Sequence, residues 1–130
     1  MDFEGLYPQK VIEHFKNPRN MGEIKNPDGI ATVGNPVCGD VMRLFIKVGK
    51  KDGQEYLKDI KFQTLGCAVA IAASSMLTLM VKDKPLSESE KITRKAVADA
   101  LGGVPPQKIH CSVLAADALK KAIENYRQKK

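Results

Sequence analysis

Residues 41–64 read VMRLFIKVGKKDGQEYLKDIKFQT, and this stretch decides the fold. Alternate positions are apolar through both of its halves, which is typical of strands that bury one face. The run Gly49–Gly53 between the halves predicts a turn, so the two halves form an antiparallel hairpin. A short strand is also predicted over residues 30–33. The pattern therefore predicts an antiparallel sheet with one face buried.

The hairpin also predicts which residues leave the sheet together. A turn centred near Lys51 places residue 40 across from about residue 62. Cys38, Asp40 and Cys67 then emerge at the same end of the sheet. The sequence thus predicts that two thiols and a carboxylate meet at this end.

Helical patterns flank the hairpin on both sides. Residues 7–15 predict a short amphipathic helix, and His14 lies off its apolar face, so we expect a solvated surface histidine. The run Ala68–Val81 is apolar and rich in small residues. This composition predicts a helix buried against the sheet, with Cys67 at its N-terminus.

The C-terminal part predicts three further helical segments. Ser87–Glu90 has the pattern of a capping box that opens a short helix. A second helix over Thr93–Leu101 stops at Gly102-Gly103. Residues 104–108 contain two prolines and are expected to be extended. Apolar residues then follow a helical spacing that begins at Cys111, which predicts a long C-terminal helix.

Length and composition predict a single globular domain over residues 1–130, since 43% of the chain is hydrophobic and 28% is charged. No charged-then-apolar leader opens the chain, and the uncharged run 62–81 contains too many polar residues to span a membrane. We therefore expect a cytoplasmic protein with no membrane partner. The net charge of +6 comes from scattered basic residues without interleaved aromatics, so no nucleic-acid partner is expected.

Three cysteines, Cys38, Cys67 and Cys111, lie at predicted turns or helix ends. Asp40 and His110 place a carboxylate and an imidazole beside two of them. An odd number of cysteines in a reducing compartment disfavours a disulfide framework. Free cysteines are often only small buried side chains, and that interpretation stays open. As ligands, the three cysteine thiolates together with Asp40 or His110 would suit a tetrahedral zinc ion or a weakly held iron–sulfur cluster.

Several motifs carry a resemblance that covers nearly the whole chain. They are Tyr7–His14 with Asn17–Asn20, Cys38–Met42, Gly66–Ala68 with Ala70–Ala72, and Lys108–Ser112. With these motifs the chain resembles the IscU family of iron–sulfur cluster assembly scaffolds, of the NifU N-terminal type. The resemblance implies an α+β fold of the SufE/NifU-like kind, in which helices pack on a three-stranded antiparallel sheet.

The resemblance also implies a function as a scaffold, not an enzyme. Such a scaffold accepts persulfide sulfur from a cysteine desulfurase, takes iron from an iron donor and electrons from a ferredoxin, and builds a labile [2Fe-2S] cluster for apo iron–sulfur proteins. By motif position, Cys38, Cys67 and Cys111 would be cluster ligands. Asp40 and His110 would be alternative fourth ligands, with Asp40 keeping the cluster labile, and Cys111 would be the main persulfide acceptor.

Several alternatives stay open from the sequence. The same ligands could hold zinc in a sulfurtransferase that accepts persulfide and carries no cluster. One chain could hold the cluster, or two chains could share it as a homodimer. His110 in place of an arginine before Cys111 separates the chain from the SufU branch. Val104–Lys108 departs from the family's chaperone segment Leu-Pro-Pro-Val-Lys, which puts a dedicated heat-shock chaperone partner in doubt.

Overall fold

A computed structural model describes residues 8–35, 39–106, 109 and 113–129. The elements within these ranges are, in chain order, α1 (Gln9–Lys16), β1 (Gly29–Asn35), β2 (Asp40–Lys51), β3 (Gln54–Leu65), α2 (Ala68–Val81), α3 (Leu86–Ser89), α4 (Arg94–Ala100) and α5 (Ala115–Lys129). The strands form an antiparallel sheet in the order β1-β2-β3. The predicted α+β class, with a three-stranded antiparallel sheet and a long C-terminal helix, is confirmed.

The core lies between the inner face of the sheet and helices α2 and α5. Alternate residues of β2 and β3 are buried in it, namely Met42, Leu44, Ile46, Ile60 and Phe62. Burial of each such side chain contributes about 1.5–3 kcal/mol to the free energy of folding, so the packing of this face drives the folding of the domain. The predicted bounds of the buried helix, Ala68–Val81, are those observed for α2. Within the described ranges, no helix has the length and hydropathy needed to cross a membrane.

The hairpin turn lies at Asp52-Gly53, where both residues have positive φ angles of 54° and 79°. Such a two-residue turn matches the twist of the strands it joins. Pairing then runs from Lys51 with Gln54 to Val41 with Leu65, with one irregularity between Lys47 and Val48. The predicted register, with residue 40 near residue 62, was wrong because the turn is centred after Lys51.

His14 is buried, and the prediction of a surface histidine was wrong. It is 5% exposed, and its Nδ1 atom lies 2.7 Å from Ser75 Oγ in α2. The Arg19 amide donates to the same Ser75 oxygen at 2.9 Å, and Asn20 Nδ2 donates to Thr78 Oγ1 at 2.9 Å. The interface between α1 and α2 is therefore partly polar, and a polar residue of α1 is buried where it meets the hydroxyls of α2.

Two loop segments cover the outer edge of β3. The Phe62 amide donates to Asn20 O (3.0 Å), and the Gly22 amide donates to Phe62 O (2.8 Å). Further along, the Leu57 amide donates to Lys84 O (3.0 Å), and Leu57 O accepts from the Asp83 amide (2.8 Å). These bonds satisfy backbone groups that an open edge would offer to other chains.

The short helix α3 begins after Pro85, so the capping box predicted for Ser87–Glu90 was wrong. No side chain caps this helix, and Pro85 O accepts hydrogen bonds from two of its amides. Proline suits a helix start because its φ is already near the helical value. The prediction for α4 was better: Thr93 Oγ1 caps it by accepting from the Ala96 amide (3.0 Å), and the helix ends before Gly102-Gly103.

The extended conformation predicted for residues 104–108 does not hold at Pro106, whose backbone is helical, as is that of Ile109. The Ile109 amide donates to Pro105 O at 3.2 Å. Proline lacks an amide hydrogen, but the first turn of a helix does not need one. Residues 107 and 108 lie outside the described residues.

Helix α5 begins at Ala115, so the prediction that the last helix starts at Cys111 was wrong. Val113 and Leu114 precede α5 without helical backbone, and the Ala118 amide donates to Leu114 O at 3.0 Å. Apolar spacing extends beyond the helix because Val113 and Leu114 are buried in the same core. Periodicity alone could not distinguish residues buried within the helix from residues buried in the non-helical segment that precedes it.

The burial of His14 predicts a pH dependence of stability. Desolvation, followed by the nearby Arg19 charge, lowers the pKa of His14 below its ordinary value of 6.5. The unfolded chain therefore binds this proton first, and the free energy of unfolding should fall as pH drops below about 6.5 towards the folded pKa. Urea unfolding between pH 8 and pH 5 measures the slope. His14→Gln should flatten it, and an equal slope in both proteins would contradict the assignment.

Close packing at Gly29 predicts a large cost for one methyl group. A Cβ at Gly29 would lie 2.3 Å from Ala122 O in α5, which is backbone and cannot rotate away. Gly29→Ala should therefore lower the free energy of unfolding by about 1–3 kcal/mol. Gly34→Ala in the same strand is the control, because its nearest contact would be 3.4 Å. Similar urea midpoints for the two variants would refute the packing argument.

Candidate functional site

The structure places two of the five predicted site residues. Asp40 is the first residue of β2, and Cys67 directly precedes α2 as its N-cap. Cys38, His110 and Cys111 lie outside the described residues. The roles suggested for those three by the sequence stay predictions.

The pairing of β2 with β3 brings Asp40 towards Cys67. Val41 pairs with Leu65, so the chain continues to Asp40 on one strand and to Gly66 on the other. A Cβ built on Gly66 would lie 3.0 Å from both Cγ and Oδ1 of Asp40. The Asp40 carboxylate therefore lies directly against the residue that precedes Cys67.

The Asp40 carboxylate is buried at the N-terminal end of α2. Asp40 is 6% exposed, and Ala70 in the first turn of the helix is 2% exposed. The first turn contains no acidic residue, and Cys67 makes no side-chain cap hydrogen bond. A carboxylate is favourable here because the first amides of a helix point outwards and carry partial positive charge.

The two described donors differ in chemistry. Cys67 is partly exposed with extended backbone (φ −80°, ψ 178°), and its sulfur is a soft ligand suited to zinc or iron–sulfur clusters. The carboxylate of Asp40 is a harder oxygen ligand that binds such metals less firmly. In the part of the chain that the structure describes, no three His, Cys, Asp or Glu side chains come together. Asp40 and Cys67 alone therefore do not supply the four ligands of a tetrahedral metal site.

An exposed apolar pair borders this end of the sheet, and sequence reasoning gave it no role. Leu65 is 76% exposed and its strand partner Val41 is 40% exposed. The two residues lie on the outer face, next in the chain to Gly66 and Asp40. The signal in the sequence was that both are apolar at positions where the alternation predicts solvent-facing residues.

The sequence matches the family described as "NifU-like N terminal domain" over residues 6–130. Among similar proteins, "Iron-sulfur cluster assembly scaffold protein IscU 1" of Archaeoglobus fulgidus is 60% identical over 124 residues, which are 95% of this chain and 78% of that protein. "Iron-sulfur cluster assembly scaffold protein IscU" of Azotobacter vinelandii is 50% identical over 127 residues, which are 95% of this chain and 96% of that protein.

Solved structures share the fold. A nitrogen-fixing NifU-like protein (N-terminal) from Brucella abortus superposes with a TM-score of 0.76 at 22% identity, over 98% of this chain and 99% of that chain. A putative scaffold protein for the SUF system from Fervidobacterium islandicum gives a TM-score of 0.69 at 20% identity, over 90% and 96% of the two chains. At these identities the likeness supports the architecture alone.

Proposed function

The chain belongs to the NifU-like N-terminal domain family, and from this membership we propose that it is an iron–sulfur cluster assembly scaffold, a carrier and not an enzyme. The observation that carries the proposal is the 60% identity, over 95% of the chain, to a relative named as such a scaffold. The names of the relatives do not favour the alternative, a zinc-containing sulfurtransferase. The buried carboxylate beside Cys67 is compatible with a site that holds metal.

The proposed cargo is a [2Fe-2S] cluster held by the thiolates of Cys38, Cys67 and Cys111. Thiolate is the usual protein ligand of such clusters, and four ligands are the usual number. Asp40 or His110 would supply the fourth. The location of Asp40 against Gly66, beside Cys67, supports its assignment as a ligand. Because a carboxylate oxygen holds the cluster less firmly than a fourth thiolate, the site would release its cargo readily.

Sulfur would reach the site as a persulfide on Cys111. In this step the Cys111 thiolate attacks the outer sulfur of a cysteine desulfurase persulfide, and the desulfurase cysteine leaves as a thiolate. Persulfide sulfur must gain two electrons to become sulfide, and a ferredoxin is the proposed electron source. An iron donor and recipient apo iron–sulfur proteins complete the proposed partners.

Other expectations from the sequence stay predictions. Residues 1–130 would form one scaffold domain that works in the cytoplasm, without nucleic-acid or membrane partners. Zinc could occupy the ligands when no cluster is bound, and two chains could share one cluster as a homodimer. A dedicated heat-shock chaperone stays in doubt, because Val104–Lys108 differs from the family segment.

Anaerobic reconstitution tests the scaffold function. Incubation with ferrous iron, cysteine and a desulfurase should give a coloured protein, and the colour should be lost to an added apo-ferredoxin. Iron and sulfide analysis should find equal amounts of each, with native mass determination giving the number of chains per cluster. A colourless protein that keeps one zinc and carries extra sulfur on Cys111 would instead support the sulfurtransferase.

Replacement of Asp40 tests its role in release. Asp40→Ala should slow transfer of the cluster to an apo-acceptor, because it removes a negative charge that repels the anionic cluster. Absorption changes during transfer measure the rate. Asp99→Ala on α4 is the matched control, since that carboxylate is 63% exposed and pairs with Lys95 at the surface. An unchanged or faster transfer rate in Asp40→Ala would count against the role.

A further inference from the structure

Gly66 joins β3 to α2, yet its backbone does not require a glycine. Five glycines in the described ranges have positive φ angles, and Gly66 is not among them. Its φ angle therefore does not by itself require a glycine. A strand-to-helix corner alone therefore does not explain why this position lacks a side chain.

The space around Gly66 gives the explanation. A Cβ at this position would lie 2.9 Å from the Cβ of Ala70 and 3.0 Å from both Cγ and Oδ1 of Asp40. Carbon atoms that are not bonded pack at about 3.5–4.0 Å, so a methyl group here would overlap the Ala70 side chain and press against the Asp40 carboxylate. The space that a side chain on residue 66 would need is occupied by the Asp40 carboxylate and by Ala70 in the first turn of α2.

The backbones of both neighbours are held in place, so the Asp40 side chain is the part that can shift. Ala70 belongs to α2 and is 2% exposed. The backbone of Asp40 is fixed by pairing with Asn35 of β1, and the next residue pairs with Leu65 of β3. The Asp40 side chain is itself buried. A methyl group at residue 66 would therefore displace the carboxylate, the first turn of α2, or both.

We propose that Gly66 is a positioning residue, whose missing side chain lets the Asp40 carboxylate lie beside Cys67 at the start of α2. The effect of this placement on cluster release rests on the proposed scaffold function, whereas the placement itself does not. The test therefore has two parts, one on the metal-free protein and one on the loaded protein.

The metal-free test is a double-mutant cycle on thermal stability. Gly66→Ala should lower the Tm, and the loss should be smaller in an Asp40→Ala background, because part of the clash is then gone. If Gly66→Ala alone does not fold, the same cycle can be measured with Ala70→Gly present in every variant. This substitution removes the Ala70 Cβ, which is the second atom that a methyl group at residue 66 would meet. Equal losses of Tm with and without the Asp40 carboxylate would overturn the proposal.

The matched control is Gly34→Ala. Its Cβ would approach Asp40 from β1 but only to 3.4 Å from the backbone oxygen, which is ordinary contact. Gly34→Ala should show no coupling to Asp40→Ala. Coupling of the same size at Gly34 would mean that any added methyl near Asp40 has this effect, and the specific role of Gly66 would be refuted.

The loaded test measures the rate at which reconstituted protein passes its cluster to an apo-acceptor. Gly66→Ala should slow transfer by no more than Asp40→Ala does, and the double variant should be no slower than Asp40→Ala alone. Additive slowing would overturn the positioning role even if both variants load normally. If the wild-type protein forms no cluster, the scaffold function fails while the Tm cycle still decides the placement.

Discussion

The antiparallel pairing of β2 with β3 is the constraint on which the rest of the structure depends. The tight turn at Asp52-Gly53 and the one-residue irregularity between Lys47 and Val48 together set the register, and this register decides that Val41 and Leu65 end the hairpin together. The inner face of the same hairpin supplies much of the core that α2 and α5 cover. One set of backbone hydrogen bonds therefore fixes both the hydrophobic core and the relative position of Asp40 and the segment that leads to Cys67.

Three glycines lie where a neighbouring residue occupies the space that a side chain would need. Gly29 lies so near α5 that a Cβ would meet Ala122 O, and Gly49 lies against the ring of Tyr56. Gly66 has the same role at the candidate site, where a carboxylate fills the space of a side chain. In each case the glycine is explained by a neighbour from another element, since none of the three has a positive φ angle.

Polar groups are buried where the amino-terminal segment meets α2. His14 and the Arg19 amide share the hydroxyl of Ser75, and Asn20 reaches Thr78 one helical turn later. Buried polar groups are stable when they are paired in this way and costly when they are not. The amino-terminal segment is thereby attached to the helix whose first turn lies beside Asp40, so the candidate site and this polar interface share one rigid element.

The sequence by itself determined the hairpin, the bounds of α2 and the family. Period-two alternation identified the hairpin, the bounds of α2 followed from its composition, and the cysteine motifs identified the scaffold family, because these signals depend on near neighbours in the chain. Tertiary structure alone decided the burial of His14, whose partner Ser75 is 61 residues away, and the register beyond Asp52-Gly53. The tertiary structure also explains why residue 66 is a glycine, because Asp40 and Ala70 lie where its side chain would be. These features depend on which atoms of distant elements occupy the same space, and no local pattern encodes that.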